Sequence, residues 1–182
     1  MILFIDGPQG AGKSTLIDYL VEKKNFKKYK FDFSKYSQAF KINQNSKLKN
    51  YQIGKDFATL YWLKELANSE DNIVIDRGVM SSIYYSYSYK RMSKKEILIY
   101  FNLLEDFKNF KFMFILPKKR TNFIRNKEDG FDSLDINEYD TDTIDFIINN
   151  SNERNIDFDV FYNNFTKSIE ENGERLIDYL KL

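Results

Sequence analysis

Cysteine and histidine are missing from the sequence, and proline occurs only at Pro8 and Pro117. Without thiols and imidazoles the chain has no disulfide, no cysteine nucleophile, no histidine base and no zinc site of the usual ligand set. A bound metal is therefore expected to have oxygen ligands, which suits Mg²⁺. Each proline lies shortly after an apolar run, where a strand is expected to end and a loop to begin.

Long hydrophobic runs and a strong excess of one charge are also absent. No apolar stretch is long enough to cross a bilayer, and Asp6 and the glycines after it interrupt the apolar start at once, so we expect no signal peptide. The 28 basic and 27 acidic residues leave a net charge of +1. These features favour a cytoplasmic protein without a membrane partner, and they weaken the case for binding to duplex nucleic acid.

What remains is the composition of an ordinary folded domain. The 182 residues are 42% hydrophobic and 30% charged, so we expect one domain over residues 1–182 with a substantial core. Aromatic residues reach 17%, with 17 Phe and 13 Tyr, and most of them are expected to fill that core. Tyr36, Phe40 and Tyr61 are also candidates for stacking on a base.

Apolar runs alternate with segments of helical spacing along the chain. The apolar runs predict buried strands at Ile2–Asp6, Lys30–Phe33, Ile73–Asp76, Phe112–Leu116 and Asp157–Tyr162. The helical spacing predicts helices at Thr15–Lys24, Phe57–Leu66, Ser93–Phe107, Thr143–Asn150 and Ser168–Lys181, and Ser93 with Glu96 fits a capping box. This alternation predicts an α/β fold with a mostly parallel sheet covered on both faces. In such sheets a ligand site lies beyond the carboxyl ends of the strands.

A glycine-rich segment, GPQGAGKST, follows the first predicted strand directly and matches the pattern G-x-x-x-x-G-K-[ST]. The glycines let successive backbone N–H groups point at one anion, and the start of the next helix adds its positive end. Lys13 is expected to bring a charge to the β- and γ-phosphates, and the Ser14 hydroxyl to ligate Mg²⁺. The predicted phosphate contacts are Gly7, Gly10, Ala11, Gly12, Lys13, Ser14 and Thr15. The segment therefore predicts a site for a nucleoside triphosphate, with ATP as the expected nucleotide.

A second acidic position comes at the end of the strand predicted at Ile73–Asp76. The Asp76 carboxylate is expected at the same edge of the sheet as the glycine-rich segment, where it can hold Mg²⁺ directly or through water. Arg77 follows at once, and its guanidinium is expected beside the reacting phosphates, where it can clamp oxygens. The glycine-rich motif by itself does not separate kinases from GTPases or motor ATPases. Asp76 and Arg77 are a second feature by which these classes of protein can be distinguished.

Both motifs resemble those of known kinase families. The segment DRGVMSSIYYS, from Asp76 to Ser86, resembles the D-R-Y-x-x-S-x-x-A-Y stretch of thymidylate kinases. The segment GPQGAGKSTL resembles the G-N-I-G-A-G-K-S-T-L of deoxynucleoside kinases, which share that fold. The resemblance implies a three-layer, doubly wound P-loop domain of the nucleotide-kinase type with a five-stranded parallel sheet. It also implies a small nucleotide or nucleoside substrate and, by analogy, a homodimer.

The resemblance further implies a mobile lid. In both families the lid follows the fourth strand and brings arginines over the transferring phosphoryl group. The corresponding segment here is 117–140, in which Arg120 and Arg125 are the implied catalytic cations, with Lys119 and Lys127 as further candidates. A cation delivered by lid closure would neutralise charge that spreads over the γ-phosphoryl oxygens.

The acceptor of the phosphoryl group is left open by the sequence. The segment FDFSKY stands where thymidylate kinases carry Arg-Glu-Pro and nucleoside kinases carry Glu-Pro. Asp32 can take a proton from a hydroxyl acceptor, whereas Lys35 and Arg77 can hold an acceptor that is already a monophosphate. The leading hypothesis is a deoxynucleoside monophosphate kinase that uses ATP and Mg²⁺.

Two alternatives stay open. A kinase of deoxynucleosides or of nucleic-acid 5′-hydroxyls would use Asp32 as its base, and the run from Gly7 to Tyr36 resembles polynucleotide kinases; nucleic acid then enters only as a 5′-end substrate. A nucleotide-binding switch or ATPase without a small acceptor is expected to carry a base-reading motif such as N-K-x-D. The letters NKED occur at 126–129, but they lie in the charged segment after the fourth strand, and no D-x-x-G follows a strand at the expected earlier place.

Overall fold

Strands and helices alternate along the folded chain. The computed structural model describes residues 1–7, 10–30, 59–88, 90, 92–118 and 141–182. Its strands are β1 (Ile2–Asp6), β2 (Lys27–Tyr29), β3 (Ile73–Asp76), β4 (Phe110–Pro117) and β5 (Asp157–Asn163). Its helices are α1 (Lys13–Lys24), α2 (59–67), α3 (Val79–Ser88), α4 (Lys94–Leu104), α5 (Thr141–Glu153) and α6 (Ile169–Leu180).

The strands form one sheet in the order β2-β3-β1-β4-β5, and every neighbouring pair runs parallel. The register places Ile5 beside Asp76 and Asp6 beside Phe114. The carboxyl ends of β1 and β3 therefore meet at one edge, at the position where open α/β sheets bind their ligands. The predicted five-stranded parallel sheet is confirmed.

Helices cover both faces of the sheet, which gives three layers. Along β1, Leu3 and Ile5 pack into a core with α1 and α6, whereas Ile2 and Phe4 pack into a second core with α2, α3, α4 and α5. Successive side chains of a strand point to opposite faces, so a strand covered on both sides is apolar throughout. This explains why β1, which is buried along its whole length, was recognisable as a continuous apolar run.

Among the described helices, α4 and α6 begin with a capping box. The Ser93 side chain accepts a hydrogen bond from the backbone N–H of Glu96, and the Glu96 carboxylate accepts one from the N–H of Ser93 at 2.9 Å, as predicted. Ser168 and Glu171 form the same pair at the start of α6, at 3.0 Å in both directions. Each box satisfies backbone donors that have no partner inside the helix.

The second strand differs from its prediction. The apolar pattern predicted Lys30–Phe33, but β2 covers Lys27–Tyr29 and Lys30 follows it, while residues 31–33 lie outside the described part of the chain. This strand forms one edge of the sheet, and all of its side chains are exposed. Exposed lysines are typical of sheet edges, and a search for buried apolar runs overlooks such a strand.

The other predicted elements are confirmed within the described residues, where their ends shift by up to three residues; residues 57–58 of the helix predicted at Phe57–Leu66 lie outside the described part of the chain. Helix α3 was not predicted as a helix. No helix among the described residues is long and apolar enough to cross a membrane.

Candidate active site

The loop between β1 and α1 turns through three glycines with positive φ. The φ angles of Gly7, Gly10 and Gly12 are 132°, 80° and 81°, a conformation that other residues rarely adopt. A Cβ at Gly7 would stand 2.3 Å from the carbonyl oxygen of Ile115, and a Cβ at Gly12 would stand 2.3 Å from Nδ2 of Asn163. Glycine is therefore required at both positions, for backbone conformation and for space.

The first turn of α1 follows this loop directly. Gly12 caps the helix without a side-chain hydrogen bond, and the first turn contains no acidic residue. The positive end of the helix is thus not offset by a local carboxylate, which suits an anionic ligand. Ser14 and Thr15 are exposed there, whereas the Lys13 side chain is buried.

The structure brings the two predicted metal ligands together. Asp76 Oδ2 accepts a hydrogen bond from Ser14 Oγ at 3.3 Å, although the residues are 62 positions apart in the chain. The other carboxylate oxygen, Oδ1, is buried and has no hydrogen-bond partner among the described residues. A carboxylate oxygen and a hydroxyl are hard oxygen donors that fit Mg²⁺, which usually takes few protein ligands and completes its shell with phosphate oxygens and water.

Arg77 has an unusual backbone conformation. Its φ of 69° lies in the left-handed region, which is uncommon for a residue other than glycine. Its backbone N–H donates to the carbonyl of Ile5 at 3.0 Å, so the turn after β3 is tied to β1. Conformations of this kind occur often at functional sites, where the surrounding structure holds them in place.

One cavity connects these features. It has a volume of about 550 Å³ and is lined by Gly10, Gly12, Lys13, Ser14, Thr15, Asp76, Arg77 and Phe165. This volume is in the range of small-molecule sites, about 300–1,000 Å³. The cavity combines a helix start, two cationic side chains and one carboxylate, which is a set of groups suited to a polyphosphate with a divalent metal.

Asp6, at the end of β1, is a part of this region whose role the sequence did not reveal. Its side chain is fully buried, and Oδ1 accepts hydrogen bonds from the backbone N–H of Gly78 at 2.8 Å, from the N–H of Ser81 at 3.1 Å and from the Ser81 hydroxyl. Burial raises the pKa of the Asp6 carboxyl, and the hydrogen bonds from Ser81 and Gly78 and the charge of Lys13 oppose that rise. The one feature of the sequence that could have pointed to Asp6 is its place as an aspartate at the end of an apolar strand.

Asn163, the last residue of β5, supports the glycine-rich loop from the other side. Its Nδ2 donates to the carbonyl of Ala11 at 3.0 Å, in a buried contact between residues 152 positions apart. Its own carbonyl accepts a hydrogen bond from the N–H of Lys118 at 2.7 Å. The loop is therefore fixed by a strand near the other end of the chain, and no local pattern marks that contact.

The loop after β5 carries Phe165 to the cavity. Asn172, a buried residue of α6, shapes this loop: its Nδ2 donates to the carbonyls of Asn164 at 2.9 Å and Ser168 at 3.0 Å, while its Oδ1 accepts from the N–H of Asn164 at 3.1 Å. Phe165 is 43% exposed, so an apolar residue stands at the rim of an otherwise polar cavity. Sequence reasoning did not single out Phe165 among 17 phenylalanines.

Several predicted site residues are not described. Asp32, Arg120 and Arg125 lie outside the described residues, and so do Lys35, Tyr36, Phe40, Lys119 and Lys127. Tyr61 lies on α2 and is 54% exposed. The roles assigned to all of these residues remain predictions.

Comparison with known proteins adds likeness of fold alone. No family model matches the sequence, and no curated protein is similar enough to count as a match. Among solved structures, the chain is similar to a deoxyadenosine kinase from M. mycoides with bound dATP, at 18% identity over 100% of both chains and a TM-score of 0.58. It is also similar to thymidylate kinase from Ehrlichia chaffeensis, at 14% identity over 100% of this chain and 98% of that chain, with a TM-score of 0.57.

A third similar structure is named for a different kind of phosphoryl acceptor. It is the shikimate kinase from Bacteroides thetaiotaomicron, at 18% identity over 100% of this chain and 99% of that chain, with a TM-score of 0.52. Together these structures confirm the predicted fold class, the three-layer α/β P-loop fold found in nucleotide kinases. Because the named acceptors differ, the fold by itself does not choose the acceptor.

Proposed function

We propose that the protein transfers the terminal phosphoryl group of ATP, with Mg²⁺, to a deoxynucleoside monophosphate. The observation that carries this proposal is the meeting of the glycine loop, the start of α1 and the Asp76–Arg77 turn at one cavity. Such a site offers an anion cradle, a metal position and a second cation, which are the main requirements of phosphoryl transfer.

The donor end of the site is assigned to the loop and α1. The N–H groups between Gly10 and Ser14 and the positive end of the helix would hold the β- and γ-phosphates. Lys13 is only 5% exposed, so its charge acts where water screens it little. A charge held in place there stabilises the negative charge that spreads over the γ-phosphoryl oxygens in the transition state.

Ser14 and Asp76 would hold the metal. Asp76 Oδ1, which has no hydrogen-bond partner in the described part of the chain, and the hydroxyl of Ser14 are oxygen ligands of the kind that Mg²⁺ prefers. When bound, Mg²⁺ would supply positive charge that offsets the negative charge of the phosphates.

The acceptor end is assigned to Arg77. Among the described residues that line the cavity, Asp76 is the single carboxylate, and its assigned role is at the metal. A guanidinium beside it favours an anionic acceptor, because its fork binds phosphate oxygens. An oxygen of the acceptor monophosphate would form the new bond to the γ-phosphorus while the bond to the β–γ bridging oxygen breaks. The products are ADP and a deoxynucleoside diphosphate, and an already ionised acceptor oxygen needs no general base.

A hydroxyl acceptor is the second candidate. The likeness to a deoxyadenosine kinase supports its inclusion, with Asp32 as the proposed base. Arg120 and Arg125 are proposed as lid cations for either acceptor. Asp32→Asn should reduce turnover only if the acceptor is a hydroxyl.

The test is ADP release from Mg·ATP with a panel of deoxynucleosides, their monophosphates and 5′-hydroxyl oligonucleotides. We expect release that depends on one or more monophosphates. Release that needs a nucleoside or a 5′-hydroxyl would support the second candidate, and acceptor-independent release would instead support an ATPase.

The matching variant is Lys13→Ala, which should lower kcat by about 10²–10³-fold or more because it removes a charge from the transition state. Lys95→Ala is the control, since it removes the same charge from an exposed site on α4. Equal turnover of the two variants would count against the assigned phosphate site.

A further inference from the structure

The Asp6 carboxylate connects the phosphate loop with the turn that carries Arg77. Asp6 directly precedes Gly7, and its fully buried Oδ1 receives the N–H groups of Gly78 and Ser81 together with the Ser81 hydroxyl. The donors lie 72 and 75 positions further along the chain. One oxygen with three donors is a demanding arrangement that a charged carboxylate satisfies better than a neutral group.

This contact takes the place of a helix cap. Helix α3 starts at Val79, so Ser81 is its third residue, and its N–H is one of the donors without a partner inside the helix. The residue before the helix usually supplies a capping oxygen. That residue here is Gly78, where a Cβ would stand 2.5 Å from the Phe4 ring. Because no side chain fits at that position, the capping oxygen comes from β1.

The same contacts hold both sides of Arg77. Its own N–H donates to the carbonyl of Ile5 at 3.0 Å, and the next N–H, that of Gly78, donates to Asp6 Oδ1 at 2.8 Å. Two successive amides are thus bound to β1, with the left-handed residue between them. Such a conformation persists when surrounding contacts determine it.

We propose that Asp6 is a positioning residue that keeps Arg77 in its left-handed conformation and thereby at the acceptor side of the cavity. The inference rests on the proposed phosphoryl transfer. It assigns no contact between Asp6 and substrate, and Asp6 acts on the reaction through Arg77 alone. Loss of the carboxylate should therefore lower turnover. It should have little effect on the affinity for ATP, because the proposed ATP contacts are made by the loop and Lys13.

The test is a double-mutant cycle with Asp6→Asn and Arg77→Ala. Asparagine has nearly the same shape but is a weaker acceptor for three donors, so we expect Asp6→Asn to lower kcat about tenfold while the Kd for Mg·ATP changes less than about threefold. If Asp6 acts through Arg77, the double variant should have the same kcat as Arg77→Ala alone. Ser81→Ala, which removes one of the three donors, should give a smaller loss that also disappears in the Arg77→Ala background.

Hydrogen exchange separates positioning from general loss of structure. In Asp6→Asn, amide exchange should rise in 77–81 and stay unchanged in α6. Asp178→Asn, the same chemical change at an exposed position of α6, should leave both kcat and exchange unaltered.

The outcomes distinguish the two proposals. The positioning role alone is overturned if the wild type is active and the loss of kcat in Asp6→Asn multiplies with the loss in Arg77→Ala. It is also overturned if the Kd of Asp6→Asn for ATP rises as much as its kcat falls. The same holds if Asp6→Asn has wild-type kcat. A wild type that releases no ADP with any acceptor overturns the proposed function and the positioning role together.

Discussion

Gly12 is the residue at which the glycine-rich loop meets β5. Its φ of 81° favours glycine, and Nδ2 of Asn163 occupies the space that a side chain would need. The same Nδ2 donates to the carbonyl of Ala11. A single small residue therefore serves the turn and the contact that supports it.

Gly12→Ala is expected to weaken ATP binding at least tenfold and to lower stability by about 1–3 kcal/mol, because both the backbone and Asn163 must move. Titration calorimetry with Mg·ATP and urea unfolding measure the two effects. The double variant Gly12→Ala with Asn163→Ala removes the clash but keeps the strained φ, so it should recover part of the binding. An unchanged Kd in Gly12→Ala would show that the loop does not bind phosphate.

At this scale the sequence identified residues that belong to a motif of fixed spacing. The grouping of Gly7, Gly12, Lys13 and Ser14 at one loop and helix start was predictable, because the motif fixes their spacing, while their roles toward phosphate and metal remain predictions. The contacts of Asp6 were not predictable, because its partners Gly78 and Ser81 are more than 70 positions away and follow no shared pattern.

The start of helix α6 is capped by one charged side chain. The Glu171 carboxylate accepts the N–H of Ser168 at 3.0 Å and lies 3.2 Å from Lys167 Nζ. The hydrogen bond from Ser168 and then the Lys167 ammonium lower the pKa of Glu171 below 4.5. Since the folded-state pKa is the lower one, the charged cap contributes stability above the unfolded-state pKa, and this contribution is lost as the pH falls through the folded-state pKa.

Glu171→Gln should therefore be less stable than the wild type at about pH 7, and the difference should shrink as the pH falls below about 4.5. Glutamine can still close the capping box, so the difference reports the charge. Urea unfolding of both proteins at several pH values is the measurement. Glu170→Gln, the same change one residue earlier, is the control, and a difference that stays constant with pH would contradict the assignment.

The elements that the sequence missed are those whose signals come from elsewhere in the fold. Helix α3 has glycine at the capping position, so the usual start signal is absent from its own segment. Its cap comes from Asp6, across 75 positions. The predicted position of β2 was wrong because an edge strand carries lysines where a central strand carries apolar residues. By contrast, α4 was predictable from Ser93 and Glu96, which lie at its own start.

For the molecule as a whole, ligand binding should raise the free energy of unfolding. The cavity joins β1, α1, the turn after β3 and the loop after β5, so a bound nucleotide would link segments from both halves of the chain. Anything that binds only the folded state raises its stability by mass action.

Mg·ATP at a hundred times its Kd should stabilise the fold by about 2.7 kcal/mol, which for a domain of this size corresponds to a rise in Tm of about 5–10 °C. Thermal unfolding followed by circular dichroism measures the rise. Lys13→Ala should abolish most of it, and Lys95→Ala should keep it. An equal rise in both variants would mean that the nucleotide binds elsewhere.

The fold class followed from the sequence because alternating apolar runs and helices leave few ways to bury both faces of a sheet. The acceptor did not follow, since similar folds occur in kinases named for different acceptors.

The contact of Asn163 with Ala11 also bears on synthesis. A chain emerging from the ribosome exposes the glycine loop early, but the strand that buttresses it is translated about 150 residues later. Until that strand leaves the exit tunnel, the glycine-rich loop lacks the contact from Asn163 that supports it. If the protein binds a nucleotide as proposed, that nucleotide would therefore stabilise only the last stage of folding, after β5 has joined the sheet.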